Sequence, residues 1–328
     1  MPRSLDHRFC VAPMMDWTDR HCRFFHRLLA PRALLFSEMV TTGAIRHGPT
    51  DRLLAFDARE QPVILQLGGS EPDELAAAIR TAEAFGYAGY DLNCGCPSDR
   101  VQKGRFGACL MAEPERVRDC LSAMREATAK PLSVKSRIGI DDVDEAPFLE
   151  RFVTTVAEAG IDTFVIHARK AWLQGLSPKQ NREVPPLRYA LVEALQRHHP
   201  ELRIVLNGGL RTPGDVARAM RWAKGVMIGR EAYQNPASLP ALEAAAWNRP
   251  PPVTDFTAVV AALADYVDQS RGQGVPAAAI LRHTLGLFNG RPGARLWRRT
   301  LSDEMRSPLA AGDLVRRAAA PVLERQAA

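Results

Sequence analysis

The stretch RIVLNGGLRTPGDVARAMRWAKGVMIGRE, residues 203–231, decides the fold. A β-branched run ends in Asn-Gly-Gly. A helix-length segment follows, with apolar residues three and four apart. A second apolar run then ends in Gly-Arg. Two such runs joined through a helix read as neighbouring parallel strands. Toward the N-terminus the same unit recurs, with strand-like runs at 9–15, 34–40, 62–68, 90–95, 132–138 and 163–169. Pro72 and Pro114 open two of the intervening helices, and Gly86 and Gly160 close two. Eight strands alternating with helices predict an α/β chain folded as a (β/α)8 TIM barrel. An open doubly wound sheet is the alternative. No G-x-G-x-x-G follows the first strand, which argues against it.

Beyond Gly229 the pattern changes. The proline-rich WNRPPPVTDF (247–256) reads as a linker. The remainder is rich in Ala, Leu and Arg, with helical spacing and no strand. The expected organisation is a barrel over 1–245 and a smaller all-helical domain over 246–328.

The chain has 328 residues, of which 46% are hydrophobic and 24% charged, as in an ordinary globular protein. No run is long enough to span a bilayer, and the N-terminus lacks a signal-peptide core. A cytoplasmic monomer with reduced cysteines is expected. The net charge of +6 is weak evidence for a nucleic-acid partner. Its distribution says more. Arginines 282, 291, 295, 298, 299 and 306 outnumber Asp303 and Glu304 by four charges. A solvated helix face and an RNA-binding face are equally compatible with that count.

In a barrel of this type the site lies at the C-terminal strand ends. Those ends carry Pro13, Met14 and Met15, then Gln66, Asn93 and Cys96, then Lys135, His167, and the NGG and GR pairs. Buried strands rarely hold Gln, Lys and His without a partner. Gly208 and Gly209, with Gly229 and Arg230, lie after strands seven and eight, where barrels commonly hold phosphate. A ligand with a phosphate tail there and a ring over the mouth would span Arg230, Gly209, Lys135 and Gln66. Flavin mononucleotide fits, with Lys135 at the electron-rich edge of its ring. A buried ion pair between Lys135 and Glu38 is the bland alternative.

Three of six cysteines fall within YDLNCGCPSDRVQKGRFGACLM (90–111). Zinc is not expected, because Cys94-Gly95-Cys96 has no downstream Cys or His pair. A disulfide two residues apart is sterically poor. Gly95 and Pro97 place the strand end before Cys96, so Cys96 sits in a loop and Cys94 packs below. The Gly-, Lys- and Arg-rich segment that follows reads as a lid, with Cys109 at its far end.

The motifs APMMDWTDRHCRFF, LNCGCPSDRVQKGRFGACLM, VKSRIGIDD, VIHARKAWLQGLSPKQNRE, LNGGLRT and MIGREAYQNP together resemble the tRNA-dihydrouridine synthases, over nearly the whole chain. Within them, DRVQKGRFGACLM and HARKAWLQGLSPKQNR resemble the bacterial subgroup that acts on uridines 20 and 20a. The resemblance implies an FMN enzyme, with NADPH as reductant, that reduces D-loop uridine to 5,6-dihydrouridine. It implies hydride transfer from flavin N5 to uracil C6 and a proton from Cys96 to C5. Cys96 is then a general acid, not a nucleophile. Flavin contacts are implied for Pro13, Met14, Met15, Gln66, Lys135, His167, Asn207, Gly208, Gly209, Gly229 and Arg230. tRNA contacts are implied for Asn93, Lys179, Arg182, Arg295 and Arg298. The sequence departs from the pattern at Cys94 and Ser136. A small-molecule FMN oxidoreductase acting on a pyrimidine or an enoate, and a non-catalytic RNA-binding protein, remain competing readings.

Overall fold

Eight parallel strands close into a barrel in sequence order: β1 Phe9–Val11, β2 Leu34–Thr41, β3 Val63–Gly68, β4 Gly89–Cys94, β5 Leu132–Arg137, β6 Thr163–His167, β7 Arg203–Asn207 and β8 Gly225–Ile228. The last pairs with the first, Val11 opposite Ile228. The structure is a computed structural model and describes residues 5–98, 101–102 and 104–327. Asp99, Arg100 and Lys103 of the expected lid lie outside the described residues.

The helices form where the spacing predicts. Pro72–Ala82 and Pro114–Ala127 start on the prolines, whose missing N–H costs nothing in a first turn. Gly86, at φ 81°, takes the left-handed turn that closes the first of these units. Strand ends are shorter than the apolar runs implied. β1 stops at Val11, so Pro13, Met14 and Met15 sit in the following loop, not on the strand. β4 stops at Cys94, as Gly95 and Pro97 require.

Two apolar layers hold the barrel. The outer one lies between strands and helices. The inner one fills the barrel floor with Cys10, Leu34, Phe36, Ile64, Val165, Val205 and Met227. Because strand side chains alternate, the next inward positions on β3–β7 rise above that floor. They are polar, and they make the site.

After the barrel come helices Leu239–Trp247, Thr257–Gly272, Ala277–Leu281, Ala294–Glu304 and Gly312–Ala327. Trp297 is fully buried, edge-on to Phe288 at 5.1 Å, and its indole donates to Thr284 O at 3.1 Å. Burying a side chain such as Phe288 contributes about 1.5–3 kcal/mol. This anchor turns the opposite face of helix Ala294–Glu304, with Arg295, Arg298 and Arg299, to solvent. No described helix is long and apolar enough to cross a membrane.

Candidate active site

A cleft of about 1330 Å³ opens at the C-terminal strand ends and reaches the helices that follow the barrel. Met14, Gln66, Asn93, Cys96, Lys135, His167, Asn207, Gly208, Gly209, Gly229 and Arg230 all line it, as do Pro13, Met15 and Arg182. Lys179 is exposed and outside the cleft lining, and Arg295 and Arg298 are exposed on their helix.

Register brings the polar layer together. Gln66 lies opposite Asp91, Asn93 opposite Lys135, Arg137 opposite His167, and His167 opposite Asn207. Gln66 Nε2 donates to Asp91 Oδ2 at 2.7 Å, and Gln66 Oε1 accepts from Asn93 Nδ2 at 2.8 Å. Asn93 Oδ1 accepts the backbone N–H groups of Gly95 (3.1 Å) and Cys96 (3.0 Å). Ser133 Oγ donates to the other Asp91 oxygen at 2.6 Å. The Cys96 thiol, partly exposed, donates to Ser98 Oγ at 3.5 Å.

Lys135 does not pair with Glu38. Among the described residues no carboxylate oxygen lies within 4 Å of its ammonium, and the acid whose charge it feels is Asp91. Burial lowers the Lys135 pKa and raises that of Asp91. His167 is held well below its ordinary value by burial, then by Arg137 and Lys135, so its ring is neutral.

Arg137 was not anticipated as a site residue. It is 3% exposed and donates to Gly95 O (3.0 Å), Lys170 O (3.0 Å) and Asn181 O (2.8 Å). One guanidinium thus ties the Cys96 loop to the loop that carries Arg182. Asp91 was missed as well. The signal for both was period two: Asp91 precedes Asn93 by two residues, and Arg137 follows Lys135 by two.

At the β7–β8 end the backbone approaches the cleft. A Cβ on Gly208, at φ 111°, would meet His167 Cδ2 at 2.5 Å. One on Gly209, at φ 73°, would meet Leu187 Cδ1 at 2.5 Å. Gly229 has open space around it instead. The backbone N–H groups of Gly208, Gly209 and Gly229 find no acceptor among the described residues. They are free donors for an anion. The expected help from helix N-termini is smaller than the sequence implied. The helix Pro213–Ala219 is closed by its own capping box, with Asp215 accepting from Thr212 N and Arg211 N. The helix after Gly229 is only five residues long. Arg230 already pairs with Glu183 at 2.5 Å and donates to Arg182 O at 3.1 Å.

The donor set therefore fits a ligand with an anionic tail at β7–β8 and an electron-rich ring beside Lys135. Among the described residues no cluster of His, Cys, Asp and Glu is arranged for a metal ion.

The dihydrouridine synthase family model matches residues 10–319. A tRNA-dihydrouridine(20/20a) synthase of Yersinia pestis is 54% identical over 96% of this chain and 91% of its own length. The proteins of that name from Vibrio cholerae and Escherichia coli K12 are 49% and 52% identical, over 96% and 90% of this chain and 96% and 86% of their own lengths. With the family model spanning the barrel and most of the helices behind it, the chain belongs to the dihydrouridine synthase family.

Proposed function

We propose that this chain is a flavin-dependent tRNA-dihydrouridine synthase that reduces uridines 20 and 20a of the tRNA D-loop to 5,6-dihydrouridine. The observation that carries the reading is the convergence of Cys96, Lys135, His167 and the Gly208–Gly209 turn on one cleft, in a chain of this family. Flavin mononucleotide is the cofactor we assign, with NADPH as reductant. Asn207, Gly208, Gly209, Gly229 and Arg230 would hold its phosphate end, and Gln66, Lys135 and His167 its ring, with Pro13, Met14 and Met15 along one side. When bound, it supplies the hydride that enters the base at C6.

The protein residues do the rest. Lys135 presents a positive charge to the pyrimidine edge of the ring. Cys96 holds a proton on Sγ and delivers it to C5 of the base, and solvent restores it. Asn93 and Arg182 bind and orient the flipped base and its flanking chain. Residues 1–245 act as the catalytic unit and 246–328 as the tRNA-binding unit, where Arg295 and Arg298, with Lys179 on the barrel, engage phosphates. Those contacts offset the cost of unstacking the target base.

The test is a visible spectrum of the purified protein. NADPH should bleach a flavin band, and unmodified tRNA should restore it. A colourless protein that binds no added FMN sinks the reading. Recovery by free uracil but not by tRNA favours a small-molecule oxidoreductase instead.

A further inference from the structure

We infer that Asp91, which touches neither base nor flavin in the reading above, is the positioning residue that sets the orientation of the Gln66 and Asn93 amides and, through them, the Cys96 loop. The inference rests on that reading for the roles of Cys96 and Gln66.

The argument is one of donors and acceptors. Burial raises the Asp91 pKa, while the hydrogen bonds from Gln66 and Ser133 and the charge of Lys135 favour the ionised form. In that form the carboxylate only accepts, whereas a Gln or Asn amide fits either way round. Asp91 is fully buried, so its two oxygens must be satisfied from within. Ser133 serves one at 2.6 Å and Gln66 Nε2 the other at 2.7 Å. Gln66 is thereby forced to turn its carbonyl toward Asn93, which must answer with its NH2 at 2.8 Å. Asn93 then has only its carbonyl left for the loop, where it accepts from Gly95 and Cys96. The chain is anchored by the acceptor-only Asp91 carboxylate above the barrel floor and by donor-only backbone N–H groups at the loop. Each amide nitrogen has one hydrogen committed and a second one uncommitted among the described residues. Both amides line the cleft, so the relay presents donors to whatever enters. That suits the carbonyl oxygens of a flavin or a uracil ring.

The test compares Asp91→Ala, Asp91→Val and Asp91→Asn in the FMN-loaded enzyme, with Cys96→Ala as reference. Asp91→Ala and Asp91→Val should lower kcat on tRNA by about 100-fold, as a misplaced reacting group does, and leave KM for tRNA unchanged. In the apoprotein, alkylation of Cys96 by iodoacetamide, read on its own peptide, should quicken about fivefold, the factor one neutral hydrogen bond is worth. Asp91→Asn should restore both readings, because its carbonyl accepts from Gln66 and its NH2 can donate to Ser133 Oγ. Unchanged kcat and alkylation in the Ala and Val variants overturn the inference. So does an Asn variant as impaired as Cys96→Ala, which remains the deciding result if the other two do not fold. Normal turnover by Cys96→Ala would instead strike the functional reading itself.

Discussion

Two polar regions of this molecule are built on opposite principles. At the barrel mouth, Gln66, Asp91 and Asn93 are buried and bonded to one another, and Arg137 spends its guanidinium on three backbone carbonyls. On helix Ala294–Glu304, Arg295 and Arg298 are exposed, and among the described residues they form no ion pair. The first arrangement fixes atoms before a substrate arrives, which is what proton delivery needs. The second leaves long side chains free to follow a phosphate backbone, in a field that salt screens. Changes at the mouth should therefore alter the chemical step or the fold. Changes on the helix should alter tRNA affinity and its salt dependence.

The largest expected effect is at Cys96. Cys96→Ala should keep its flavin spectrum and lose roughly 10²–10⁴-fold in dihydrouridine formation, the range of a lost general acid. Normal turnover in a nucleoside assay of the tRNA would break the assignment. Arg137→Met comes next, and its effect is on folding. It strands the carbonyls of Gly95, Lys170 and Asn181 and should cost about 2–4 kcal/mol in urea unfolding. A loss below about 0.5 kcal/mol, the scale of an ordinary surface change, would show that the two loops are held independently.

Arg295→Ala sharpens the other side of the comparison. It should raise KM for tRNA a few-fold at low salt and reduce the salt slope by about one. Oxidation of NADPH by a small artificial acceptor should be unaffected. A drop in that oxidation would mean that the helix face and the mouth are not separable.

The smallest effect concerns the seam between the two regions. Asp19 accepts from Arg282 Nη2 at 2.6 Å and faces His283 Nε2 at 3.0 Å, and it caps the helix Arg20–Leu29. Burial pushes its pKa up, but His283, the Cys22 N–H and Arg282 together hold it well below the usual carboxylate range. A depressed carboxylate contributes stability above its unfolded value of about 3.9 and loses it as pH falls toward the folded value. Asp19→Asn should thus flatten the fall of melting temperature below about pH 4. An unchanged acid limb would rule that role out.

Much of this was legible in the sequence because it is periodic. Strand and helix spacing located all eight strands within a few residues, and Cys94-Gly95-Cys96-Pro97 placed the thiol in a loop beyond the strand end. Glycine pairs marked the β7–β8 approach. Spacing does not report which polar atoms meet. Asp91 reads as one acid in an apolar run, and Arg137 as one more arginine in an arginine-rich chain. The expected phosphate site leaned on helix N-termini, one of which is already occupied by Thr212 and Asp215.

By itself the sequence determined the order of elements, the closure into eight strands and the place of Cys96 in a loop beyond β4, since these follow from local spacing and residue chemistry. The tertiary structure alone decided that Asp91 faces Gln66, that Arg137 spans two loops, and that Trp297 turns the arginines of its helix outward. Those outcomes depend on interstrand register and on which face of a helix finds a core, and both are settled only when distant segments pack together.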